Sequence, residues 1–120
     1  MIALRSVRKE WQDSFRRGNV ELLDYIEAES FVATVDLVSQ GKRERIQRIA
    51  RQLQMGRWIE SGLVYSENVE TRVEGRYTVF EGVADTYLAG RLLRQSSFKE
   101  TWCLEKGRWR ILALSCATIL

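Results

Sequence analysis

Few side chains in this chain can do chemistry: its 120 residues include no histidine, only two cysteines and no proline. Without imidazole there is no His-based triad and no His-ligated metal, so acid–base work falls to carboxylates, tyrosines, lysines, arginines or thiols. One carboxylate stands apart. In the stretch FKETWCLEKGRWRILALSCATI, Phe98 to Ile119, Glu100 alternates with Phe98, Trp102 and Leu104. If Lys106–Gly107 is a two-residue hairpin turn, Leu104 faces Trp109, Trp102 faces Ile111, Glu100 faces Ala113 and Phe98 faces Ser115. Glu100 is then a lone acid on an apolar sheet face. A desolvated carboxylate of this kind suits general acid–base work near neutral pH, such as moving a proton α to a carbonyl. Tyr25 or Tyr77 would donate to the developing enolate oxygen. Two other states stay open for Glu100: an internal ion pair with Arg76, Arg91 or Arg94, or hydration at a frayed strand end. Asp36 reads as a turn or capping residue. Cys103 and Cys116 fall together on the second face of the hairpin, as buried free thiols rather than a disulfide or metal pair.

The elements that must position these groups follow from spacing. Ile2 to Arg17 is an amphipathic helix with Leu4, Val7, Trp11 and Phe15 on its apolar side, ended by Gly18. Asn19 caps a short second helix that buries Val20, Leu23 and Ile26. Phe31 to Val35 is β-branched and reads as a strand. A third helix, Gly41 to Met55, buries Ile46, Ile49, Ala50 and Leu53, and Gly56 stops it. Its Lys42, Arg43, Arg45, Arg48 and Arg51 form either an anion-binding face or a solvated one, and charge runs of this kind usually mark solvated faces. Trp58 to Tyr65 fits a strand or a loop equally. Asn68 to Phe80 alternates as one strand bent at Gly75, Glu81–Gly82 makes a turn, Val83 to Ala89 returns, and Gly90–Gln95 connects to the final hairpin. Helices first and antiparallel strands after them give an α+β fold: three N-terminal helices packed on a strongly curved, mostly antiparallel sheet, in one domain spanning 1–120.

Charge bounds the partners. The net charge of +3 is spread in alternating basic and acidic blocks along the chain, which suits mutual neutralisation between elements rather than a nucleic-acid surface. No apolar run approaches a membrane span and the N-terminus is charged too early for a signal peptide, so a cytoplasmic location is expected.

These residues, in this order, resemble the nuclear-transport-factor-2-like (NTF2-like), cystatin-like α+β cone, especially its small bacterial SnoaL-like and ketosteroid-isomerase-like members. The resemblance rests on Trp11, Phe15, Gly18-Asn19, Leu22-Leu23 and Tyr25, on Gly41-Lys42, on Val79-Phe80-Glu81-Gly82-Val83-Ala84, and on Phe98…Trp102…Lys106-Gly107-Arg108-Trp109-Arg110-Ile111. It implies a cavity between helices and sheet, and the pattern above supplies its candidate lining: Trp11, Phe15, Tyr25, Phe31, Trp58, Tyr77, Phe98, Trp102 and Trp109. For several of these, ordinary core packing is the simpler reading. Two functions are open. One is a cofactor-free, metal-free isomerase, cyclase or dehydratase acting on a small apolar organic molecule with Glu100 as base. The other is a non-catalytic ligand-binding or assembly domain; only the first needs Glu100 unpaired. The last strand is apolar on both sides, with Leu112, Leu114 and Cys116 turned away from the helices. A second copy of the sheet is the simplest cover for them, giving a homodimer.

Overall fold

The computed structural model describes residues 3–58 and 62–120. Helix α1 spans Leu4–Arg17, and Gly18 closes it in the left-handed region at φ 70°. Asn19 then caps α2 (Val20–Ile26), its side-chain oxygen accepting the Leu22 N–H at 3.2 Å. Strand β1 follows without a loop, Glu27–Val35, and is longer than the Phe31–Val35 core that its β-branched residues marked. A short strand β2, Val38–Gly41, folds back on it. Sequence reading missed β2, because its turn is made by Asp36 and Leu37, both at positive φ without a glycine. Helix α3 is Lys42–Gln54. The expected helix start at Ile2 and part of the Trp58–Tyr65 stretch lie outside the described residues; Leu63 onward is strand.

The remaining strands are β3 (Leu63–Glu74), β4 (Tyr77–Leu88), β5 (Arg91–Glu105) and β6 (Arg108–Thr118). They form a six-stranded sheet in the order β2-β1-β6-β5-β4-β3. Every neighbouring pair is antiparallel except β1 with β6. The first meander turn sits at Gly75–Arg76, not at Glu81–Gly82. Gly75 takes φ 60°, as the first central residue of a two-residue hairpin of this type must, whereas Gly82 lies inside β4 between Val69 and Phe98. Gly90–Gln95 is not a connector either, since β5 already begins at Arg91.

The closing hairpin turns at Lys106–Gly107 as expected, both residues at positive φ, and Trp102 pairs with Ile111. One step further the register slips. Thr101 pairs with Ala113, so Leu112 is the extra residue of a β-bulge. Beyond a bulge the facing reverses. Glu100 therefore faces Leu114 and Phe98 faces Cys116, and Leu114 and Cys116 pack onto the helix-side core. Ala113, Ser115 and Ala117 are left exposed on the outer face. The two cysteines, both free, thus lie on opposite faces rather than together.

The core lies between the helices and one sheet face, with Trp11, Leu23, Ile26 and Ile49 packing on Phe31, Ala33, Phe80, Phe98, Trp102 and Ile111. The charge blocks meet across elements: Lys42 and Arg43 of α3 pair with Asp24 and Glu29, and Arg8 of α1 with Glu67. Among the described residues no helix is long and apolar enough to cross a membrane.

Candidate functional site

Two carboxylates are buried beneath the helices, and each is met by an arginine and a tryptophan. Glu100 accepts hydrogen bonds from Arg8 Nε at 2.8 Å and Arg8 Nη2 at 2.9 Å, and from Trp102 Nε1 at 3.0 Å. The same guanidinium reaches the part-buried Glu67 with Nη1 at 2.6 Å and Nη2 at 3.0 Å. Burial works against the charge on Arg8, but its bonds to Glu67 and Glu100 outweigh that and leave it above its ordinary pKa. Glu67 is held below its usual range, first by the Arg8 hydrogen bond. Glu27, fully buried, accepts from Trp11 Nε1 at 2.9 Å and from Arg45 Nη1. Its other oxygen, Oε1, is the one buried side-chain polar atom among the described residues without a hydrogen-bond partner.

Toward the β1–β2 end the core gives way to a cavity of about 470 Å³. Phe15 and Trp58 wall one side, edge to face at 5.1 Å, with Trp58 Nε1 donating to the Phe15 carbonyl at 2.6 Å. Ala33, Val35, Val38, Ile49, Ala84 and Leu114 complete the apolar lining. The polar lining consists of Gln40, Tyr65, Thr86, Ser96, Cys116 and three arginines, Arg45, Arg48 and Arg94. No carboxylate is among these lining residues. Burial pushes the Cys116 thiol up, so it stays protonated at neutral pH and is a poor nucleophile. Among the described residues no group of three or more acids or thiols is placed to hold a metal ion.

Solved structures share this architecture. An NTF2-like protein from Cytophaga hutchinsonii superposes with a TM-score of 0.78 at 17% identity, over 98% of this chain and 100% of that one. The fold is NTF2-like. A Nostoc punctiforme protein, described as being of unknown function with a cystatin-like fold, gives 0.73 at 13% identity, over 96% and 87% of the two chains. A Parabacteroides distasonis protein, provisionally named a ketosteroid isomerase, gives 0.71 at 11% identity, over 97% and 85%. No protein-family model matches the sequence, and no curated protein is significantly similar to it.

Within this NTF2-like frame the nine aromatic residues read from the sequence separate. Phe15 and Trp58 line the cavity. Trp11, Phe31, Phe98 and Trp102 are buried in the core, and Trp109 packs against it from partial burial. Tyr25 is 54% exposed, stacked under Arg108 at 4.2 Å. Tyr77 pairs with Cys103 at the far end of β4, with the Arg76 guanidinium 5.4 Å from its ring. Glu100 is buried but ion-paired, and its partner comes from α1, not from Arg76, Arg91 or Arg94. Sequence reading missed Arg8, Glu27 and Arg45 as interior groups and Arg94 as a cavity residue. A signal was present for three of them. Arg8 lies four residues after Leu4 and three before Trp11, Glu27 four after Leu23, and Arg45 four before Ile49, each continuing an apolar helical stripe.

Proposed function

We propose that the chain is one domain of the SnoaL-like or ketosteroid-isomerase-like type that binds a small organic molecule in the cavity between α3 and the sheet, without acid–base catalysis by the protein. The observation that carries this reading is the disposition of the carboxylates. Both oxygens of Glu100 are occupied by Arg8 and Trp102, Glu27 is bound to Arg45, and the described cavity lining holds no carboxylate. A general base must reach the proton it removes with an available lone pair, and this cavity offers a ligand walls and donors instead. Concave apolar sites with a few convergent polar groups are the usual form of small-molecule pockets.

The domain works as a homodimer, through the outer sheet face, in a reducing cytoplasm that suits its free thiols. A groove of about 600 Å³ on that face is lined by Leu37, Val83 and Ala117, with Glu81 and Lys99 beside them.

Thermal shift tests the binding reading. A panel of small aromatic and aliphatic compounds, each as the free acid and as its neutral amide, should include members that raise Tm, since a ligand present at a hundred times its Kd adds roughly 2.7 kcal/mol. Filling the cavity with Ala84→Met should abolish the shift. A panel without effect on the native protein, or one equally effective on the filled variant, refutes the proposal.

A further inference from the structure

The charge of the cavity narrows its ligand further than its shape does. Arg45 is fixed, its guanidinium held by buried Glu27 behind the wall and stacked between the rings of Phe15 and Phe31 at 5.0 and 5.3 Å. Arg48 meets only the neutral amide oxygen of Gln40, at 3.3 Å, among the described residues. Arg94 comes no nearer than 3.8 Å to Asp36, at the surface, and that carboxylate is already engaged by the Thr118 N–H and hydroxyl at 2.7 and 2.8 Å. Among the described residues, two guanidiniums thus border an apolar-walled space with no strong counter-charge.

We infer that the cavity takes an amphipathic carboxylate: an aromatic or aliphatic body against Trp58, Ile49 and Leu114, and a carboxylate head between Arg48 and Arg94. This rests on the small-molecule reading above and deepens it. A planar guanidinium fork matches a carboxylate with paired, charge-assisted hydrogen bonds, which are about twice as strong as neutral ones. A cation would be repelled, and a neutral ligand would leave both arginines without an anion. An inorganic anion would gain nothing from the walls, so the body contributes as much to recognition as the head.

Calorimetric titration of 2-naphthoate, octanoate and 4-phenylbutanoate, each beside its primary amide and beside inorganic phosphate, tests the inference. At least one acid should bind saturably and about tenfold or more tightly than its amide, the factor expected for one added charge-assisted contact, while phosphate should not bind. Arg48→Gln with Arg94→Gln, two exposed positions whose replacement leaves the core intact, should remove the acid's advantage over its amide. Acid and amide binding equally, or an acid preference that survives the double variant, would overturn the anion inference while the cavity reading stands. Saturable phosphate binding would overturn the role of the apolar body. Neither acids nor amides binding would bring down both readings.

Discussion

Arg8 holds two carboxylates at once while its guanidinium lies 4.7 Å from the Phe80 ring centre and 5.7 Å from that of Phe98. Removing it leaves, among the described residues, buried Glu100 with the single indole N–H of Trp102, and Glu67 with the Gln12 amide at 3.4 Å as its one hydrogen-bond donor. Breaking one side of a buried ion pair costs about 3–5 kcal/mol. Arg8→Met should lower the denaturant midpoint accordingly, and Arg8→Met with Glu100→Gln should recover part of the loss by removing the stranded charge. The pH dependence follows from Glu67, whose folded-state pKa lies below its ordinary value of 4.5. Its contribution is complete above that value and is lost as pH falls through the lower folded-state one. Native protein should therefore lose stability below about pH 4.5 more steeply than Arg8→Met; equal slopes would remove the pair from the account. Buried charge was the part least visible in the sequence, because charged residues default to the solvent face. The stripe positions of Arg8, Arg45 and Glu27 were the available clue, and reading them required trusting spacing over residue type.

At the scale of the element, the sequence was most informative where a glycine and a clean alternation coincided, and least where either stood alone. Lys106–Gly107 satisfied both, and the turn lies there. In the run from Asn68 to Ala89 two glycines compete inside alternating sequence, and only backbone geometry separates them. Gly75 has a positive φ and open space around it, while a carbon added to Gly82 would lie 2.0 Å from the Asn68 carbonyl oxygen and 2.9 Å from the Val69 Cα. Gly82 thus marks a close backbone approach within the sheet rather than a turn. Because the obstructing atoms are main chain, relief requires β3 and β4 to separate. Gly82→Ala should cost about 1–3 kcal/mol or more and lower Tm on the order of ten degrees. Gly41→Ser, where an added carbon meets nothing within 4 Å, should be near neutral, so matching melts for the two variants would refute this role of Gly82. The β6 bulge was hidden for a different reason. The run Leu112 to Ala117 contains only small or apolar side chains apart from Ser115, so a one-residue slip leaves no contradiction in the pattern.

For the whole molecule, that slip decides which face is which. It turns Leu114 and Cys116 into the cavity between α3 and the sheet, so a charge at Leu114 would test the proposed binding and not the assembly. The case for a dimer passes instead to Leu37, at the tip of the β1–β2 turn. Leu37 has φ 72° and is 97% exposed, so a bulky apolar side chain occupies a backbone position that favours Asn or Gly and gains no burial within its own chain. It borders the outer groove that also includes Val83 and Ala117. In a two-fold pairing of outer faces, each Leu37 would bury against the partner's groove, and that contact would offset the strain of its turn. Sedimentation velocity at micromolar concentration should give a species of twice the 14.0 kDa chain mass. Leu37→Lys, which removes nothing from the core, should shift it to monomer and leave the circular dichroism unchanged. If the native chain sediments as a monomer at every concentration, the dimer is excluded; if Leu37→Lys stays dimeric, the interface lies elsewhere on the sheet.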